Sequence, residues 1–238
     1  MTFFICCLRG FTAAGAAKIY RRNPQRGRLP LRTLSERKSM YKNCIKRVID
    51  VTLSVLAIIV LSWLYIIISI LIKCTSKGPV LFKQDRIGRD GKVYKIYKFR
   101  SMKVGAEKSG VYSDNKDPRV TGIGKFIRAT SIDELPQLFN ILKGDMALIG
   151  PRPPLTYHPW KWEEYSDFQR RMFEVRPGIT GWAQTHGRKD VEWNKRIELN
   201  VWYVDHVSFG LDFKIFWLTI LKILTNADNE NKGETVKT

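Results

Sequence analysis

The stretch VTLSVLAIIVLSWLYIIISILI, Val51 to Ile72, carries no charged side chain and is apolar on every face of a helix. At ~1.5 Å rise per residue it is long enough to cross a hydrocarbon core of ~30 Å. A buried core helix is the competing reading, but so long an uncharged run speaks against it. The segment is predicted to sit in a membrane. Lys42, Lys46 and Arg47 precede it, and Lys73 and Lys77 follow it. A simple spanning helix prefers its Lys/Arg excess on one side. Basic residues on both flanks suit a segment that enters and leaves by the same cytoplasmic face. Ser54 and Ser62 are placed to bond back to carbonyls one turn earlier and so aid a bend. No proline interrupts the run, which keeps a spanning helix as the alternative.

The chain has 238 residues, with 41 Lys and Arg against 22 Asp and Glu, a net charge of +19. That length makes one substantial domain or two small ones, and the charge calls for anionic partners: nucleic acid, a phosphorylated small molecule or a phospholipid surface. Residues 1–39 are rich in Arg, Pro and Gly and lack an apolar period. They read as a disordered extension or a mis-assigned start, with true initiation at Met40. Their first residues loosely resemble a signal peptide, but the basic n-region is missing and Arg9 breaks the apolar run. Cys6, Cys7, Cys44 and Cys74 show no C-x-x-C spacing, and His158, His186 and His206 are scattered. Neither a disulfide framework nor a zinc site is expected.

Beyond Gly78-Pro79 the chain becomes soluble in character. VLFKQDRIGRDGKVYKIYKFRSM reads as two strands around Gly88–Gly91, with Asp90-Gly91 as the turn dipeptide. Residues from Ala106 to Gly122 read as a polar loop. SIDELPQLFNILKG reads as a helix stopped by Gly144, GPRPP as irregular, KWEEYSDFQRRMFEV as a helix and RPGITGW as a turn. Leu211 to Leu224 forms a second apolar helix, interfacial or core, and TNADNENKGETVKT a disordered tail. The expected fold is α+β and membrane-associated. Residues 40–77 anchor it, and 78–225 form a small cytoplasmic domain of helices, a β-hairpin and interfacial helices, followed by the tail at 226–238.

Three groups of basic residues are candidates to face a phosphate. Arg128 lies just before a carboxylate pair, Asp133-Glu134. Arg152 lies in the proline-rich GPRPP loop, which would hold a guanidinium in a fixed pose for bidentate contact. Gln84, Arg86, Lys98 and Arg100 lie on the hairpin. For the pair itself, Ser131 and Glu134 have capping-box spacing, so helix punctuation is one reading. Pro136 would then fall at the fifth helical position, where it lacks the N–H for an intrahelical bond. The helix is better started later, leaving Asp133 and Glu134 on the turn that leads into it. An ionised Asp can attack phosphorus when a divalent cation and Arg relieve the repulsion between two anions. Nucleophile and punctuation both remain open on these residues alone.

At this point the chain resembles the bacterial sugar transferases, the monotopic phosphoglycosyl transferases that act on polyprenyl phosphate. The resemblance runs from about Lys46 to Leu224, through KRVID, KGPVLFKQDRIG, YKFRSM, TGIGKFIRATSIDELPQLFNILKGDMALIGPRP, RPGITGWAQ and WYVDHVSFGLDFKIF. It implies that Asp133 is the nucleophile on the sugar-bearing phosphate of a UDP-sugar. UMP then leaves, and a phosphosugar-aspartyl enzyme passes the sugar phosphate to undecaprenyl phosphate. It implies Mg²⁺, with Asp133 and Glu134 as its ligands or Glu134 assisting proton transfer. Arg128 and Arg152 fall on matching positions suited to phosphates; Arg86 and Arg100 are phosphate-binding candidates from the hairpin reading. It also implies a re-entrant membrane helix in the inner membrane, with membrane lipids as partners and the catalytic part on the cytoplasmic face. No nucleic acid is implied, a homodimer is admitted, and the products would start capsule, exopolysaccharide, O-antigen or glycoprotein glycans. Two departures stand out. Ser62 is followed by Trp63 where the family commonly has proline, and the residues after Gln184 in WAQTHGRKD are less standard, a region that bears on sugar choice. The alternative function is a membrane-tethered basic protein that binds nucleic acid, motivated by the +19 charge.

Overall fold

A computed structural model of the protein describes residues 40–106, 110, 117–186 and 192–225. The expectations for 1–39 and 226–238, for most of the polar loop and for the residues just after His186 lie outside the described residues. Backbone packing separates Met1–Arg47 from Val48–Thr238. In the first unit the described residues form a π-helical turn, Tyr41–Ile45. Cys44 is disulfide-bonded, which departs from the expectation that cysteine pairing plays no part, whereas Cys74 is free and exposed.

The apolar run is two helices, α1 (Lys46–Val60) and α2 (Ser62–Thr75). Among the described residues no single helix is long and apolar enough to cross a membrane. The pair Tyr41–Val60 and Ser62–Thr75 meets that length and composition together, and it is bent by 62°. The break falls at Leu61 (φ −94°, ψ 6°). There the Leu64 N–H reaches back only three residues, to the Leu61 carbonyl at 2.9 Å, a tightened turn that redirects the axis. Proline is therefore not needed for the bend. Ser54 does not act as expected: its buried Oγ has no hydrogen-bond partner. The pair is sided, with Leu56, Ile59, Val60, Trp63, Ile66 and Ile70 exposed while Asp50, Ser54, Ile68 and Ile72 are buried.

The hairpin forms as the alternation predicts. β1 (Leu81–Ile87) and β2 (Val93–Phe99) pair antiparallel, from Leu81 opposite Phe99 to Ile87 opposite Val93. The Asp90-Gly91 turn has φ of 56° and 76° at its two residues, the left-handed region that Asp tolerates and Gly favours. α3 (Gly122–Ala129) follows, with Thr121 accepting the Gly124 N–H at 3.0 Å as its N-cap. A Cβ on Gly124 would lie 1.9 Å from the Ser101 carbonyl oxygen, so only glycine lets α3 close on the end of the hairpin.

α4 (Gln137–Lys143) ends at Gly144, φ 98°. It is short because Pro136 occupies its N-cap, as the proline argument requires. β3 (Ala147–Ile149) runs parallel to a strand absent from the sequence reading. KWEEYSDFQRRMFEV, read as one helix, is instead a 3₁₀ turn at Trp162–Glu164, α5 (Asp167–Arg170) and a second 3₁₀ turn at Arg171–Phe173. A Ser166 cap bonded to Gln169 restarts the chain after Tyr165 and prevents continuity. RPGITGW, read as a turn, contains β4 (Gly178–Thr180), the partner of β3. α6 (Trp182–His186), α7 (Trp193–His206) and α8 (Phe209–Thr225) complete the fold. On α8, Asp212 and Ile215 are buried while Phe209, Phe213, Phe216, Trp217 and Leu221 face outward. That pattern is not that of a core helix: its apolar side is exposed.

Among the described residues, three apolar clusters hold these parts. Ile68 and Ile72 of α2 pack with Phe99 and Ile127, joined by Ile132 and Leu135. Ile96 packs with Leu138, Ile141 and Met146, against Ala57 and Ile58 of α1. Ile87, Tyr165, Met172, Phe173, Ile197 and Val201 form the third. Between α4 and the hairpin stands one buried amide. Asn140 donates to the Lys95 carbonyl at 2.8 Å and accepts the Tyr97 N–H at 2.9 Å, standing in for a strand along the edge of β2. Asn140→Ala leaves both β2 groups unpaired in a buried site. It is expected to lower stability by about 3 kcal/mol, read as a lower midpoint of denaturant unfolding in detergent.

Candidate active site

The carboxylate pair stands where the backbone turns most sharply. Ser131 is left-handed (φ 57°), and Ile132–Glu134 make a single 3₁₀ turn that α4 continues after Pro136. The Ser131 side chain caps nothing; its carbonyl accepts the Glu134 N–H at 3.1 Å. The capping box is therefore not formed, and both carboxylates are free for other work. Ile132 and Leu135 bury the turn's apolar side against α2 and α3, which directs Asp133 and Glu134 to the opposite side.

That side meets the hairpin. Phe82 pairs with Lys98 and Arg86 with Tyr94, so Gln84, Arg86 and Lys98 share one face of the sheet. Lys98 Nζ donates to Glu134 Oε1 at 2.6 Å and lies 3.8 Å from Asp133 Oδ2. From the proline-rich loop, Arg152 Nη2 reaches Glu134 Oε1 at 3.6 Å. Exposure separates these groups: Lys98, Asp133 and Glu134 are 18%, 13% and 20% exposed, whereas Arg152 is 51% exposed. Arg152 is thus the most solvent-facing of the four. Its loop is rigid for a reason beyond proline. Gly150 donates to the Thr180 carbonyl at 2.8 Å and Gly178 to the Pro151 carbonyl at 3.0 Å. A Cβ on Gly150 would lie 2.4 Å from the Arg176 carbonyl oxygen.

The other candidates divide. Arg86 backs the site: its Nη1 donates to the Pro153 carbonyl at 3.0 Å and its Nη2 to Gln84 at 2.8 Å. Burial and the neighbouring Arg152 charge lower Arg86 to about 10. Arg128, in the last turn of α3, contributes a favourable charge to Asp133. Arg100 is not gathered with them. Its buried guanidinium donates to the Ser76 and Lys77 carbonyls at 2.7 and 2.9 Å, closing the C-terminal end of α2. The reason is its position just past the last β2 pair, where the strand face no longer directs it inward. Sequence reasoning grouped Lys98 with phosphate-facing residues and missed that it is the counter-ion of the carboxylates. The shared parity of Arg86 and Lys98 across the turn was the available signal.

The two carboxylates differ electrostatically. Burial opposes charge on Glu134, but Lys98, Arg152 and Arg86 outweigh it and hold that carboxyl well below the usual carboxylate range. Burial pushes Asp133 up; Lys98 partly offsets this and the Glu134 charge adds to it. One carboxylate is fixed as an anion while its neighbour is a poorly solvated, more basic one. For a hard divalent cation, the pair offers two oxygen donors outside the described ion pairs, Asp133 Oδ1 and Glu134 Oε2. Among the described residues no third His, Cys, Asp or Glu joins them. That set suits Mg²⁺, which binds through one or two carboxylates and completes its shell with water and substrate phosphate.

The family model described as bacterial sugar transferase matches residues 41–226. The chain is 44% identical over 183 residues to the uncharacterized sugar transferase EpsL of Bacillus subtilis (strain 168), covering 76% of this chain and 88% of that one. It is 39% identical over 188 residues to the UDP-glucose:undecaprenyl-phosphate glucose-1-phosphate transferase of Escherichia coli (strain K12), covering 76% of this chain and 40% of that one. With the UDP-N-acetylgalactosamine-undecaprenyl-phosphate N-acetylgalactosaminephosphotransferase of Aeromonas hydrophila it shares 44% over 185 residues, 76% of this chain and 44% of that one. The chain thus spans less than half the length of these last two relatives.

Removing the Lys98 charge tests the electrostatics directly. Lys98→Met leaves two partly buried carboxylates short of their closest cation, and at pH 7 it is expected to destabilise the fold by about 3 kcal/mol. The wild-type advantage from a depressed Glu134 is complete above the unfolded carboxyl range and fades as pH falls through the folded value. The deficit of the variant should therefore narrow as pH falls from the ordinary carboxyl value of 4.5 toward the folded value of about 2, measured as the difference in Tm between the two proteins from about pH 7 to about pH 2.

Proposed function

The chain belongs to the bacterial sugar transferase family, and we propose that it is a phosphoglycosyl transferase that moves a sugar 1-phosphate from a UDP-sugar to undecaprenyl phosphate. The observation that carries this reading is the unequal carboxylate pair: Asp133, partly buried and the more basic, beside Glu134, ionised by Lys98, with Arg152 half-exposed above them. The relatives' names support the substrate classes, with UDP-glucose and UDP-N-acetylgalactosamine as donors of those proteins.

In the first step an Asp133 carboxylate oxygen attacks the sugar-bearing phosphorus. A P–O bond forms, and the bond to the bridging oxygen breaks, so that UMP departs with the electron pair. Arg152 and Arg128 offset the approach of one anion to another, which is the main barrier to such a transfer. Poor solvation of Asp133 makes its ionised form a stronger nucleophile. In the second step a phosphate oxygen of the lipid attacks the same phosphorus. The Asp133 O–P bond breaks, the carboxylate returns, and a diphosphate-linked sugar remains. Asp133 and Glu134 would hold Mg²⁺, which when bound neutralises diphosphate charge. Glu134 remains ionised throughout, orienting Lys98.

The same reading places the protein on the cytoplasmic side of the bacterial inner membrane, with α1 and α2 as a re-entrant anchor. The 62° bend, the outward apolar residues and the basic flanks support this arrangement. α8 would lie along the interface by its exposed Phe213, Trp217 and Leu221. The products would begin a surface glycan.

Asp133→Asn is expected to lower UMP release at least a thousandfold when the full chain in detergent or nanodiscs is given labelled UDP-sugars. Wild-type protein should release UMP before lipid is added and should carry the sugar phosphate on the Asp133 peptide in mass spectra. Turnover of Asp133→Asn at the wild-type rate would refute the assignment.

A further inference from the structure

The bent helix does more than anchor. From α2, the phenol of Tyr65 donates to the Leu135 carbonyl at 2.7 Å, and Leu135 directly follows Glu134 on the carboxylate turn. The Tyr65 ring is wedged between Phe99, at the end of β2, and Phe139 of α4, with centroids 5.5 and 5.7 Å away. One side chain thus touches the turn, the strand that carries Lys98 and the helix that continues from the pair. Its base is rigid. Ile68 and Ile72 on the same stripe of α2 are buried against Phe99 and Ile127, and Arg100 closes the end of that helix on the Ser76 and Lys77 carbonyls.

The turn needs such a hold. It begins at a left-handed non-glycine residue, Ser131, and has only one 3₁₀ turn of backbone bonds, Glu134 N–H to Ser131 and Leu135 N–H to Ile132, each at 3.1 Å. Short 3₁₀ segments are weakly held by their own bonds, and a carboxylate that must meet phosphorus in line tolerates little displacement. On α1, the buried Asp50 makes a comparable tie by accepting the Leu148 N–H at 3.2 Å, on the strand that leads into the Arg152 loop. The two halves of the bent helix therefore reach the two halves of the site.

We infer that Tyr65 is a positioning residue: its phenol pins the backbone of the carboxylate turn to the membrane helix and so sets where Asp133 stands. This rests on the reading of Asp133 as the nucleophile. The inference goes beyond that reading by giving the anchor a share in the geometry of the reaction, which an anchor needed only for localisation would not have.

The test uses full-length wild type, Tyr65→Phe and Asp133→Asn in the same detergent. Tyr65→Phe keeps the ring packing and deletes only the hydroxyl. Hydrogen exchange should quicken about tenfold in peptides covering Ile132–Leu135 and stay unchanged elsewhere, with Tm shifted by only a few degrees. UMP release from UDP-glucose, UDP-galactose or UDP-N-acetylgalactosamine should show kcat down about tenfold with KM unchanged, because binding groups are untouched while alignment is lost. Unchanged exchange in the turn together with wild-type kcat would overturn the inference. So would faster exchange spread over the whole fold, which marks a general packing role. Should Asp133→Asn retain wild-type UMP release, the nucleophile reading fails by itself, and the exchange of the turn alone then decides whether Tyr65 holds it.

Discussion

Two adjacent carboxylates cannot both be partly buried and ionised without cations close by, and this constraint organises the catalytic half of the molecule. Lys98 meets the need at 2.6 Å from Glu134 and 3.8 Å from Asp133. To place that ammonium, β2 must be held against α4, which Asn140 does through two backbone groups of the strand. To keep the pair off a regular helix, Pro136 must delay the start of α4. To bring Arg152 within 3.6 Å of Glu134, the proline-rich loop must pack on β4 through glycines that admit no side chain. Hairpin, helix and loop are separate in sequence, and the ion pairs are where they meet.

Inequality within the pair follows from the same placement. Glu134 faces Lys98, Arg152 and Arg86 and stays ionised; Asp133 is partly buried with weaker compensation and is the more basic of the two. Symmetric compensation would give two inert anions, and none would give a shared proton, as in paired carboxylates that cannot ionise together. An off-centre lysine produces one fixed anion and one more basic carboxyl from neighbouring residues on a single turn.

Much of this was legible in the sequence where local rules act alone. The hairpin followed from alternation and Asp90-Gly91, the late start of α4 from Pro136, and its end from Gly144. The apolar run announced itself, although its break at Leu61 did not, because no proline marks it. What failed depended on partners distant in the chain. β4 is three residues long and exists only because β3 lies beside it, so RPGITGW looked like a turn. Arg100 resembled Arg86 in type and in its place on the hairpin, yet one residue beyond the last pair of β2 its side chain serves the carbonyls ending α2. Lys98 was visible as a basic residue, but its role needed the register of two strands and the orientation of a 3₁₀ turn together.

The bent apolar segment shows the same dependence from the other side. A helix chosen only to lie in lipid would bury no polar group and could be exchanged for any apolar run of equal length. α1 and α2 instead keep Asp50 on the inner face, where it accepts the Leu148 N–H, and Tyr65, which donates to the Leu135 carbonyl. Both bonds end on backbone beside site residues, and both lie on the side away from the exposed apolar stripe. With the bent helix as the proposed anchor, its two faces would have distinct duties: the outer would fix depth in the bilayer, and the inner holds the chain that carries Asp133 and Arg152. On the proposed reading, a substrate phosphate at the lipid surface would meet a nucleophile whose height is set by that same helix, which would make anchoring and alignment one structural problem.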